Sequence, residues 1–69
     1  MYFGLNRQLD EQSLIRFLKL YGDERLSTVL VPRLTDDEIH TVVDTLMIVM
    51  RRHLSNEEYH RLFLQEEDD

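Results

Sequence analysis

The sequence predicts an all-α fold, a small three- or four-helix domain of αα-hairpins with a central helix over about 36–53. Three observations predict it. A helix-start phrase is written three times. Apolar residues between the copies recur at helical spacing. The one strand-like run, Ser27-Thr28-Val29-Leu30-Val31, has no second run to pair with.

The phrase reads Leu34-Thr35-Asp36-Asp37-Glu38-Ile39-His40, then Leu54-Ser55-Asn56-Glu57-Glu58-Tyr59-His60, with a looser copy at Leu9-Asp10-Glu11-Gln12-Ser13-Leu14-Ile15. In the first, Thr35 suits an N-cap and Glu38 can reach back to its N–H, closing a capping box. Leu34 and Ile39 are placed to form a hydrophobic staple across it. Ser55, Glu58, Leu54 and Tyr59 repeat the device. The copy at Asp10 keeps a cap and a Leu9–Leu14 staple but has Ser13 where the box wants Glu or Gln. The acidic residues after each cap suit the positive end of a helix dipole. Capping chemistry explains the repetition, apart from the matched His40 and His60.

The elements follow in order. Residues 1–9 form an irregular arm carrying Tyr2, Phe3 and Leu5, which is expected to lie on the core or on a neighbouring subunit. Helix one spans about 11–21, with Leu14, Phe17, Leu18 and Tyr21 on one face, and Gly22 is placed to be a left-handed stop. Residues 23–34 fit either a short helix after Asp23 or a strand, because β-branched residues favour strands. A strand without a partner makes the helix the expected form, and Pro32 ends either.

Helix three spans 36–53. Ile39, Val42, Val43, Leu46, Met47, Val49, Met50 and Leu54 form a stripe roughly 160° wide at 100° per residue, broader than a one-sided surface helix needs. Helix three is therefore expected to be a hub, covered on two sides by helices one and four. Ile48 falls opposite the stripe. Helix four is expected over 56–65, burying Tyr59, Leu62 and Phe63 and pairing Glu57 with Arg61 at i, i+4. An acidic tail, residues 66–69, closes a single domain of 1–69.

The chain has 69 residues, a net charge of −6, 42% hydrophobic and 32% charged residues, and no cysteine. A core this small is marginal, and such chains often gain stability by oligomerising. The absent cysteine removes disulfides and thiolate metal sites and fits a reducing compartment. No basic–apolar signal opens the chain, and the apolar run 46–50 is too short to span a bilayer. A cytoplasmic location is expected.

Function classes separate on chemistry. With Gly4 and Gly22 as the glycines there is no phosphate-cradling loop, and the serines read as cap or loop residues, so the chain is not expected to be an enzyme. No cofactor is expected. A nucleic-acid reader would rely on Arg51, Arg52 and Arg61, against an acidic balance that phosphates repel. A metal module would need His40, His53 and His60 brought together, since structural zinc wants four ligands. His53 falls on the apolar side of helix three, where a partly buried imidazole near Glu57 would be a pH-sensitive contact.

The strongest signal is apolar surplus. The expected function is a small, acidic, non-catalytic regulatory or adaptor domain that binds another protein or itself as a homodimer. Met47, Ile48 and Met50 of helix three and Tyr2 and Phe3 of the arm are the expected contact residues; methionines suit adaptable surfaces.

Overall fold

Asn6, not Asp10, starts the first helix. In the computed structural model, which describes residues 1–66, helix α1 spans Arg7–Tyr21. The extended Asn6 accepts a hydrogen bond on its Oδ1 from the Leu9 N–H at 2.9 Å. The sequence-based start is therefore four residues late, and the arm shortens to residues 1–6. The reason is local. Asn is as good a cap as Asp, and Arg7, Gln8 and Leu9 favour helix. Asp10 then lies in the first turn, where its Oδ1 accepts the Gly4 N–H at 2.8 Å. Leu9 and Leu14 both lie inside α1, so they form no staple. Gly4 adopts a φ of 90°, which suits glycine, as the arm folds back to make this bond.

The chain forms two compact units, Met1–Leu34 and Thr35–Asp69. In the first, α1 ends at Tyr21 as its periodicity implies. Gly22 has φ −84°, so it is not the left-handed stop expected of it. Its N–H still bonds the Leu18 carbonyl at 3.0 Å. The chain turns instead at Asp23, the N-cap of helix α2 (Glu24–Leu30). Asp23 accepts the Arg25 N–H at 2.9 Å, and the Arg25 guanidinium grips the same carboxylate through Nε at 3.0 Å and Nη2 at 3.2 Å.

The ambiguous stretch is thus helical. Thr28 and Ser27 turn their hydroxyls back onto the Glu24 carbonyl at 2.9 and 3.2 Å, a bond a helix offers and a lone strand does not. A 3-10 turn, Val31–Arg33, follows and takes Pro32 in its first turn, where a missing N–H costs little.

In the second unit, helix α3 spans Asp36–His53, as expected. Its capping box is complete: the Thr35 N–H donates to Glu38 Oε1 at 2.8 Å and the Glu38 N–H donates to Thr35 Oγ1 at 3.1 Å. Helix α4 starts at Asn56 with the same box on Ser55 and Glu58, at 2.8 and 3.1 Å. Only Asn56–Glu58 is α-helical. Tyr59–Phe63 widens into a π-helical turn in place of the α-helix expected to Gln65. The Leu64 N–H reaches the Tyr59 carbonyl at 3.1 Å, five residues back. The wide turn lets the Tyr59 and Phe63 rings stack with centroids 5.5 Å apart. Gln65 then turns left-handed (φ 55°), ending the helix. The acidic-tail expectation for residues 67–69 lies outside the described residues.

The described residues are helices and turns, with no strand among them. None of them is fully buried. The faces expected to be buried are formed but not covered. On α1, Leu14, Phe17 and Leu18 stay exposed while Tyr21 is half-buried. The seven-residue α2 is about 10 Å long, too short to cover four turns. On α4, Tyr59 is half-buried while Leu62 and Phe63 are exposed. On α3 itself, Val42, Met47 and Met50 are half-buried and Ile39, Val43, Leu46 and Val49 exposed.

Candidate functional site

The hairpin of α3 and α4 builds the better-formed surface. Met47 and Met50 lie one turn apart on α3, and the extended Leu54 turns the chain into Ser55. Tyr59 then returns toward α3, its phenol 3.8 Å from the Met47 sulfur. A groove of about 370 Å³ opens among Met47, Met50, Arg51, Leu54, Ser55, Asn56 and Tyr59. It combines thioether, leucine and tyrosine surface with the Arg51 guanidinium, the Asn56 amide and the Ser55 hydroxyl, which accepts the Glu58 N–H as an N-cap. Such a surface offers apolar contact beside a cationic group.

Beside the groove runs the open part of the α3 stripe. Val43 is 52% exposed and Leu46 42%. Ile48 is also 52% exposed, but from the opposite side of the helix. Two of the expected contact residues, Met47 and Met50, are therefore together in the groove, and Ile48 stands apart from them.

In the first unit, Tyr2 is 75% exposed and Phe3 55%. The arm is fastened by the Gly4–Asp10 bond, and Met1 and Tyr2 with Leu9, Gln12, Ser13 and Arg16 line a hollow of about 210 Å³. Phe17 and Tyr21 stack farther along α1 with centroids 6.0 Å apart. These aromatic groups form a second apolar surface.

The polar candidates behave differently. His60 lies at the rim of a hollow with Glu57, Arg61 and Glu66, its Nδ1 2.8 Å from Glu66 Oε2. The Glu66 N–H donates to the His60 carbonyl at 3.0 Å, so backbone and side chain fasten the same turn. Arg61 pairs with Glu57 at 3.9 Å, as its spacing implied. His40 and His53 are exposed on α3. The partly buried setting expected for His53 is not formed: the residue is exposed. Among the described residues, no group of three or more His, Asp or Glu is arranged to hold a metal.

Electrostatics follows the caps. The Glu58 carboxyl is held below its ordinary range, chiefly by the hydrogen bond from the Ser55 backbone N–H and then by the Ser55 hydroxyl. The Asp23 carboxyl is lowered first by the Arg25 side chain, which is raised in turn by Asp23. These shifts belong to helix starts, and none marks a general acid or base.

Sequence reasoning missed three of these links: Gly4 to Asp10, Asp23 to Arg25, and His60 to Glu66. The first and third span six residues across a bend, a spacing with no helical or strand period to reveal it. The Asp-x-Arg spacing of the second was legible as an Asp cap followed by a cation.

No protein-family model, curated protein or solved structure matches the chain. Among the described residues no helix is long and apolar enough to cross a membrane.

Proposed function

We propose that this chain is a non-catalytic protein-binding domain of regulatory or adaptor type, acting in the cytoplasm, whose apolar surface is completed by another polypeptide. One observation carries the reading. The chain forms amphipathic helices with well-made caps, yet leaves every described apolar side chain at least partly open. A folded monomer this size still closes some core, because burial is the main favourable term. Contiguous apolar area beyond a few hundred Å² marks an interaction surface.

Met47 and Met50 with the Tyr59 ring form the contact on α3 and α4, Ile48 adds a point on the far side of α3, and Tyr2 and Phe3 add the aromatic arm. The acidic helix starts form a polar rim. The net charge of −6 argues against a nucleic-acid partner.

The test combines light scattering with an apolar-surface dye across a wide concentration range. The expected result is dye binding by the dilute chain, lost as the chain self-associates or when a partner is added. A monomer at every concentration that binds no dye would overturn the reading, since such a chain covers its own apolar face.

A further inference from the structure

The open seam of α3 reads the same from both ends. Ile39, Val43, Leu46 and Met50 fall within about 60° of one another at 100° per residue. Their spacings are four, three and four, the a/d pattern of a coiled-coil seam. The midpoint of Asp36–His53 lies between Asp44 and Thr45. About that midpoint Ile39 mirrors Met50, Val43 mirrors Leu46, and the flanking Val42 mirrors Met47. Each seam position thus has an apolar position at the same distance on the other side.

The charges are antisymmetric about the same point. The first turn of α3 carries Asp36, Asp37 and Glu38, and the last carries Arg51, Arg52 and His53. Two copies laid antiparallel bring each acidic turn to the other's basic turn and oppose the two helix dipoles. Laid parallel, they set acid on acid and arginine on arginine. A two-fold interface must be self-complementary, and this helix is self-complementary in shape and in charge.

We infer that the occupant of the α3 seam is a second copy of this chain, bound antiparallel, with the two-fold axis crossing between Asp44 and Thr45. Ile39 of each copy faces Met50 of the other, and Val43 faces Leu46. Helix α4 leaves most of the seam accessible: Tyr59 lies at Met47, on its flank, Ile39, Val43 and Leu46 stay exposed, and Met50 is half-buried at the groove. This inference rests on the protein-binding reading and names its partner.

The absence of cysteine makes a clean test. Full-length Ile39→Cys and Met50→Cys chains are mixed in a glutathione redox buffer and the disulfides are weighed by mass spectrometry, with dimer mass checked under reducing conditions. In the antiparallel pair the two copies of position 39 are about 16 Å apart along the axis, beyond disulfide reach, while 39 and 50 are opposed. The mixed disulfide is expected to exceed either self-disulfide by about tenfold, since bridging needs Cα atoms within ~7 Å. If the substitutions weaken the dimer, unmodified chain is used instead. Mixed labelled and unlabelled protein should give an intermolecular methyl contact between Ile39 and Met50.

A dimer with Ile39–Ile39 bridges or contacts overturns the antiparallel register. A dimer with neither pairing overturns the seam and leaves the binding reading standing. A monomer that binds the apolar dye also overturns the second copy as occupant while leaving a different protein partner. A monomer without dye binding overturns both.

Discussion

The Tyr59 phenol sits 3.8 Å from the sulfur of Met47, twelve residues earlier in the chain. This contact fastens the end of α4 to the flank of α3 and forms one wall of the groove. Sulfur is a weak acceptor, so the ring matters more than the hydroxyl. Tyr59→Phe should change stability by less than about 1 kcal/mol. Tyr59→Ala removes a half-buried ring and should cost about 2 kcal/mol, below the range for a fully buried aromatic. Thermal melts at fixed concentration check both; equal costs would show that the ring is not the fastening element.

The two capping boxes make a paired prediction. Thr35→Ala and Ser55→Ala each remove a side-chain acceptor, and each should cost about 1 kcal/mol. Thr35→Ala should reduce helix content more in circular dichroism, because it releases an 18-residue helix whereas Ser55 starts a short one. If Ser55→Ala lost more ellipticity, the π-helical turn would hold more of the second unit than its length suggests.

Glu58 ties the same cap to pH. Its folded pKa lies below the ordinary value of 4.5 because the Ser55 N–H and hydroxyl favour the carboxylate. The depressed pKa gives a contribution fully present above about pH 4.5 and lost as pH falls through the lower folded value. Acid titration of the wild type should therefore weaken α4 below that point, and Glu58→Gln should flatten this part of the profile. An unchanged profile in Glu58→Gln would assign the acid sensitivity to other carboxylates.

How much was legible in the sequence follows from the range of each signal. The starts of α3 and α4 were readable because cap, box and acidic turn lie within four residues of one another. The start of α1 was misread because Asn6 and Asp10 are both good caps, and the choice turns on Gly4 folding back to Asp10. The π-helical turn had no signature, since it depends on Tyr59 meeting Met47 and on Glu66 meeting His60. The groove was half legible. Met47 and Met50 were picked out for their chemistry, but Leu54 and Tyr59 looked like ordinary staple residues. Burial was the least legible, because periodicity shows which face is apolar and not what covers it. Asn6→Ala should cost about 1 kcal/mol and expose the Leu9 amide to solvent exchange. An unchanged Leu9 exchange rate would return the helix start to Asp10.

Substitutions on opposite faces of α3 test the proposed self-association apart from contact with a different protein. Leu46→Glu places a charge in the apolar seam and should convert the dimer to monomer in light scattering, with helix content retained in the monomer's capped turns. Ile48 lies about 160° around the helix from Leu46 at 100° per residue. Ile48→Glu should leave helix content and self-association unchanged, while removing any contact a different protein makes on that side. A loss of dimer in Ile48→Glu with no loss in Leu46→Glu would move the self-contact to the polar side of α3.

Gln65 ends α4 with φ 55°, a left-handed conformation that crowds a Cβ. The conformation is held from both sides. The Leu64 N–H is bonded to the Tyr59 carbonyl at 3.1 Å before it, and the Glu66 N–H to the His60 carbonyl at 3.0 Å after it. Glu66 Oε2 meets the His60 ring at 2.8 Å and adds a third tie. Glycine adopts this φ without the steric cost but loses more backbone freedom on folding. Gln65→Gly should therefore stabilise the turn by a net of about 0.5 kcal/mol, seen as slower exchange of the Leu64 and Glu66 amides. Glu66→Gln should speed the exchange of the Glu66 amide by weakening the side-chain tie. Because both changes act on the same turn, the double variant should depart from the sum of the two single effects. A double variant whose exchange equals that sum would show that the left-handed residue and the His60–Glu66 contact act independently.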